Sequence, residues 1–213
     1  MATSAQIDQF IRAAHKVGAA GLTICSSGNL SWRLPNGEVL ISGTGSWLPE
    51  ITADRVSVVE LAEGKILNGV KPSMESTFHL SVMRERPDVN VVLHFQSPYA
   101  TALACRKERF TNLNFTAEMA LHVGEEIPQI PYFRPGSPQL AEHVIEAMRE
   151  HNSVLLLKHG QVVCGADFDQ AFERAMFFEM GCRIALLNGS NVDPLTRAEI
   201  DDLESYFLGK EGK

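Results

Sequence analysis

His94-Phe95-Gln96 closes an apolar run. Residues two apart on a strand share a face, so the His94 imidazole and the Gln96 amide can converge on one point while Phe95 turns away. That geometry suits two metal ligands, and it also suits a hydrogen-bonded core histidine. Lys158-His159-Gly160 ends a second apolar run, where the His159 imidazole can meet the first pair. Glu75 stands in the first turn of a helix predicted from Ser73, with His79 four residues on and so on the same face. The helix dipole stabilises a carboxylate there. Beside a metal the same carboxylate can act as a ligand or carry a proton.

A second set of residues suits an anion. Gly28-Asn29-Leu30-Ser31 follows Cys25-Ser26-Ser27, and Ser42-Gly43-Thr44-Gly45 and Lys71-Pro72-Ser73 come later in the chain. Backbone N–H groups in glycine-rich turns and at helix N-termini bind anions, and Ser, Thr and Asn side chains add contacts. Taken singly, each cluster is also an ordinary turn sequence. Cys25, Cys105, Cys164 and Cys182 are scattered, without a CxxC pair, and read as packing residues of a reduced, cytoplasmic protein.

The elements that must position these groups follow from periodicity. Ile7, Phe10, Ile11, Ala14 and Val17 predict an amphipathic helix from about Ser4 to Gly18. Asn29 to Leu34 and Val39 to Ser42, joined through Asn36-Gly37, predict a hairpin, and Val56 to Leu61 with Ile66-Leu67 repeats the pattern. A helix from Ser73 to Arg86, ended by Pro87, leads to a buried strand, Val89 to Phe95. Ser97-Pro98 and Ser137-Pro138 each open a helix. Val154 to Leu157 and Val162 to Cys164 read as paired strands around the Lys158–Gln161 turn. Asp167 and Gln170 cap a long helix that runs to Asn188-Gly189. The tail from Thr196 to Lys213 reads as a short helix or a mobile segment. With no repeat and no long linker, residues 1–213 form one α/β domain.

Composition narrows the function. The 213 residues are 45% hydrophobic and 21% charged, as in a folded globular protein, and the net charge of −7 argues against a surface for nucleic acid or anionic membrane. No apolar run approaches the length of a membrane span, and the N-terminus has no signal-peptide pattern.

The order and spacing of Gly28-Asn29-Leu30-Ser31, Ser42-Gly43-Thr44-Gly45, Lys71-Pro72-Ser73-Met74-Glu75, His94-Phe95-Gln96-Ser97-Pro98 and Lys158-His159-Gly160 resemble the class II aldolase/adducin family over nearly the whole chain. Within the family the pattern looks most like that of the short bacterial L-fuculose-1-phosphate aldolases. The resemblance implies an α/β/α sandwich around a mixed, largely antiparallel sheet, and a homotetramer with active sites between subunits. It further implies one divalent cation per chain, typically zinc, with His94 and His159 at ligand positions and Glu75 as both resting-state ligand and acid/base. Asn29, Thr44, Gly45 and Ser73 match phosphate-binding positions, Gly28 shapes their loop, and Tyr206 is the candidate for proton transfer on the aldehyde side.

Three residues depart from the family pattern. Gln96 stands where the family has the second His of His-x-His, and an amide oxygen binds zinc more weakly, so manganese or another cation becomes a candidate. Met74 replaces a serine of the phosphate cradle, and Gly43 replaces a common proline. The activity implied first is retro-aldol cleavage of a ketose 1-phosphate to dihydroxyacetone phosphate and an aldehyde. The alternatives are a phosphosugar epimerase, dehydratase or decarboxylase using the same site, or an adducin-like, non-catalytic protein.

Overall fold

The N-terminal periodicity folds as expected in the computed structural model, which describes residues 1–208 other than 111, 125 and 190. Helix α1 (Ser4–Ala19) buries Phe10, Ala14 and Val17. Its first turn is closed reciprocally: the Thr3 hydroxyl accepts from the Gln6 backbone N–H while the Gln6 side chain accepts from the Thr3 N–H. The Asn36-Gly37 turn, with Gly37 at φ 81°, joins β1 (Asn29–Arg33) to β2 (Glu38–Ser42), and β3 (Val56–Glu60) pairs with β2. Ile66-Leu67 does not extend this sheet as a strand and contributes one isolated bridge, Ile66 to Val59. The Asn68 amide takes the next edge groups, accepting from Val58 N–H and donating to the Val56 carbonyl, so a side chain does the work of the expected ladder.

Helix α2 (Ser76–Glu85) begins three residues later than its sequence suggests, because residues 73–76 form a turn that closes with Ser76 N–H donating to the Ser73 carbonyl. Glu75 is thereby the residue before the helix, at φ −97° and ψ 6°. Strand β4 (Val91–Phe95) and helix α3 (Pro98–Ala104) follow. Helix α4 (Ala117–His122) and the two-residue strand β5 (Gln129–Ile130) have no clear sequence signal, being too short for a period to show. Then come α5 (Pro138–Met148), capped by the Ser137 hydroxyl, and strands β6 (Ser153–Leu156) and β7 (Gly160–Gly165). Helix α6 (Phe168–Asn188) is capped by Asp167 and stopped at Gly189. The tail is helical as α7 (Arg197–Leu208), and its last five residues lie outside the described part.

The seven strands make one sheet in the order β3-β2-β1-β4-β7-β6-β5, antiparallel at every pairing except β5 with β6. Alternation along the strands sends side chains to two cores. Leu30, Leu93, Phe95 and Val163 pack under α1, α3 and α6, whereas Ile41, Val92, Val162 and Cys164 pack under α2 and α5. The result is the expected α/β/α sandwich with a mixed, largely antiparallel sheet. His94 alternates with Leu93 and Phe95, and so it faces the α2 side.

Candidate active site

The centre of the sheet brings the separated clusters together. In the β1–β4 ladder Asn29 lies opposite His94 and Ser31 opposite Val92, so Asn29 and Ser31 share the α2 face with His94. The turn between β6 and β7 carries His159 to the same sheet end, with Lys158 in the left-handed region at φ 59°, unusual for a residue other than glycine. The His94 and His159 rings lie 4.8 Å apart, and Glu75 reaches between them from the N-terminal end of α2.

All three groups are largely sequestered from water. Glu75 Oε2 is 3.4 Å from His94 Nε2, and Glu75 Oε1 is 3.6 Å from His159 Nε2. Both separations are longer than a good N–H···O hydrogen bond, which falls at about 2.7–3.2 Å. Atoms bound tetrahedrally to zinc at about 2.0–2.1 Å are themselves about 3.3–3.4 Å apart, so the spacing fits ligands of a shared cation better than an ion pair.

The proton positions point the same way. His94 Nδ1 is 2.8 Å from the Gln161 carbonyl, which can only accept, so Nδ1 carries a proton and Nε2 is the nitrogen turned toward the Glu75 carboxylate. Burial and the neighbouring His94 push the His159 pKa down to about 4, against the opposing pull of Glu75, which keeps this imidazole neutral. Glu75 Oε1 is buried without a hydrogen-bond partner. Two imidazole nitrogens and a carboxylate converge here at separations too long for good hydrogen bonds and short enough to share one cation. The donor set therefore fits a divalent metal.

Around this cluster lies a cleft of about 330 Å³ lined by Gly28, Asn29, Thr44, Gly45, Ser73, Met74, Gln96 and Pro135 along with the three polar groups. Every sequence-predicted site residue except Tyr206 is thus in one place. Tyr206 is on α7, 58% exposed, with its ring against Phe207, and does not line this cleft in the single chain. Gly28 takes φ 82°, and a Cβ there would stand 2.7 Å from the His94 carbonyl, so only glycine lets the loop approach β4 this closely. Gly160 is equally constrained: a Cβ would meet the Phe95 carbonyl at 2.6 Å and Gln96 Cγ at 2.8 Å.

The anion-binding half differs in detail from the sequence expectation. The backbone N–H of Thr44 donates to the Lys71 carbonyl and that of Ser73 to the Ser42 carbonyl, so these residues offer hydroxyls to a ligand in place of amides. The Asn29 amide is engaged internally, donating to Glu75 Oε2 at 3.0 Å and meeting His79 through its oxygen. Ser31, expected in the anion-binding cluster, bonds to His79 behind the site, and His79 carries no role in the sequence pattern beyond its spacing from Glu75. The one signal for them was spacing, Glu75 to His79 at i+4 and Asn29 to Ser31 at i+2. Met74 is 62% exposed at the rim of the cleft, where the 134–137 loop packs against its backbone.

Comparison with known proteins agrees with this geometry. Residues 8–186 match the family model of the class II aldolase and adducin N-terminal domain. The chain is 34% identical over 209 residues to a 3-oxo-tetronate 4-phosphate decarboxylase of Haemophilus influenzae, covering 96% of this chain and 99% of the relative. It is 30% identical over 175 residues to an L-fuculose phosphate aldolase of Escherichia coli, covering 82% and 80%. The crystal structure of YgbL from Escherichia coli superposes with a TM-score of 0.87 at 32% identity, covering 94% of this chain and 98% of that one. With the fold, the sequence match and the clustered Glu75, His94 and His159 in agreement, the chain belongs to the class II aldolase/adducin family.

Proposed function

We propose that the chain is a divalent-metal-dependent lyase that decarboxylates a 3-oxo sugar-acid phosphate, with 3-oxo-tetronate 4-phosphate as the first candidate. The observation that carries this reading is the near full-length similarity to the Haemophilus influenzae decarboxylase, joined to a buried carboxylate set between two imidazoles. A divalent cation held by His94, His159 and Glu75 or Gln96, zinc or manganese, supplies Lewis-acid stabilisation of developing enediolate charge. The residues do the rest. Ser73 and Thr44 hydroxyls with the Gly28 and Gly45 turns receive the phosphate.

Loss of CO2 from a 3-oxo-tetronate 4-phosphate breaks the bond between the carboxylate carbon and its neighbour and leaves the electron pair conjugated with the ketone. Glu75 then delivers a proton to that carbon, which yields dihydroxyacetone phosphate, with one proton taken up per turnover. Retro-aldol cleavage of a ketose 1-phosphate such as L-fuculose 1-phosphate produces the same enediolate and the same phosphorylated product. The reactions differ in the fragment that leaves. Release of an aldehyde requires a base to take a hydroxyl proton, whereas release of CO2 from a carboxylate requires none. Among the described residues the cleft holds one carboxylate, Glu75, and no tyrosine, which suits decarboxylation within a single chain.

The aldolase reading is supported by the Escherichia coli relative at 30% identity. It needs Tyr206 to arrive from a neighbouring chain of a homotetramer. An assay of the metal-loaded protein on both substrates decides between the two, provided that the co-product is followed, since dihydroxyacetone phosphate arises in either case. CO2 release from the 3-oxo acid with negligible aldehyde release from L-fuculose 1-phosphate is the expected result. The reverse pattern would establish the aldolase.

Gln96 gives a further measurable expectation. An imidazole nitrogen is a better zinc donor than an amide carbonyl, so Gln96→His is expected to tighten zinc binding about tenfold, or ~1.4 kcal/mol. Competition against a chromophoric chelator measures it. Unchanged affinity would remove Gln96 from the metal's shell.

A further inference from the structure

Behind Glu75 runs a hydrogen-bonded chain with no contact to the cleft at its far end. Ser31 Oγ is 2.7 Å from His79 Nδ1, His79 Nε2 meets Asn29 Oδ1, and Asn29 Nδ2 lies 3.0 Å from Glu75 Oε2. His79 is fully buried, stacked on the Phe78 ring at 4.6 Å. Its environment, with burial first and the nearby His94 second, lowers its pKa to about 3, so its ring is a neutral imidazole with one donor and one acceptor.

That restriction gives the chain a direction. Asn29 turns its NH2 toward the Glu75 carboxylate and its oxygen toward His79. The oxygen then requires a proton on Nε2, and Nδ1 is left to accept from the Ser31 hydroxyl, whose 2.7 Å contact to this nitrogen is far shorter than its 3.4 Å approach to the Val92 carbonyl. With the proton on Nδ1 instead, His79 would present a lone pair to Asn29, the amide would flip, and its oxygen would face the carboxylate, acceptor against acceptor.

We propose that His79 is a positioning residue: its Nε2–H, with Nδ1 backed by the Ser31 hydroxyl, sets the orientation of the Asn29 amide and so holds the Glu75 carboxylate at its place between His94 and His159. The proposal rests on Glu75 being the group that moves the proton. Asn29 acts in this arrangement as the link between His79 and Glu75, a role separate from any contact it makes to a substrate phosphate.

The test has a spectroscopic arm that does not depend on the substrate. In the full-length protein labelled with 15N at histidine, His79 is expected to show a bare, pyridine-like Nδ1 and a protonated, pyrrole-like Nε2. A protonated Nδ1 would overturn the proposal even if the decarboxylase reading holds, and the expected pattern would stand even if neither of the two substrates turned over. In Ser31→Ala the partner of Nδ1 is lost, and the Nδ1 resonance is expected to move while Nε2 stays protonated. An Nδ1 resonance unmoved in that variant would remove Ser31 from the proposal.

The kinetic arm uses whichever substrate turns over. Glutamine can return a donor close to the Nε2 position and phenylalanine cannot. His79→Phe is expected to lower kcat at least ~10-fold with KM nearly unchanged, and His79→Gln to restore most of it, because sub-ångström misplacement of a reacting group is costly. Where His79→Phe does not fold, Ser31→Ala and His79→Gln carry the comparison, with a smaller fall in kcat expected for the first than for a lost Glu75. Equal kcat across wild type, Ser31→Ala and a folded His79→Phe would overturn the proposal.

Discussion

Replacing Glu75 by glutamine is expected to keep substrate binding and to lower turnover by roughly 10²–10⁴-fold. Glutamine has nearly the same shape and its oxygen can still accept from Asn29 Nδ2, so the chain through Asn29 to His79 keeps its polarity. What disappears is the acid that returns a proton to the substrate carbon. A purely structural Glu75 gives the opposite forecast: loss of its interaction with the N-terminus of α2 would cost about 0.3–1 kcal/mol and leave turnover nearly intact. The measurement is steady-state kinetics at saturating metal, so that any weakening of the metal site is not read as a loss of proton transfer. Solvent proton exchange at the carbon of dihydroxyacetone phosphate reports the same step without the C–C cleavage. A variant that still exchanges that proton at the wild-type rate would take Glu75 out of the acid/base role.

His159→Ala is expected to weaken metal binding by about 10³-fold, equivalent to ~4 kcal/mol, and to abolish turnover at ordinary metal concentrations. The reason lies in how little else His159 does. Its Nδ1 has no hydrogen-bond partner, and the fold of its turn rests on backbone bonds, from Lys158 N–H to the Ala104 carbonyl and from His159 N–H to the Leu156 carbonyl. The substitution should therefore leave the thermal transition close to that of the metal-free wild type, while wild-type protein alone gains stability when zinc or manganese is added. Metal content after exhaustive dialysis, near one ion per chain for wild type and far below it for the variant, checks the first claim. Retention of a full equivalent by His159→Ala would place the cation elsewhere.

Two ordinary physical reasons explain why so much of the site was visible before the fold was known. Ligand residues sit at the ends of apolar strands, and strand ends are marked by an abrupt change of composition, as at His94 after Val91–Leu93 and at His159 after Val154–Leu157. Within one element, spacing translates directly into direction, as for Asn29 and Ser31 on one face of β1; Glu75, expected on the same helix face as His79, precedes α2 and is linked to His79 through Asn29. Element ends were less legible. Helix α2 starts at Ser76, because the Ser73–Ser76 turn competes for the same residues, and the Ile66-Leu67 strand gave way to the Asn68 amide.

The chain by itself determined the α/β class, the glycine positions at tight turns, and the kinds of chemistry available to Glu75, His94, Gln96 and His159, since these depend on residue type and local period. Only the tertiary structure decided what Asn29 touches. Its residue type and neighbours suit a phosphate loop, yet the register of β1 against β4 sets it beside His94, and the packing of α2 over that face brings Glu75 and His79 to its two amide ends. The location of Tyr206 was equally beyond local pattern, for its place on an exposed face of α7 follows from how the last helix packs against the others. Spacing along a chain specifies geometry inside an element, whereas distances between elements are set by sheet register and core packing, in which dozens of buried side chains take part at once.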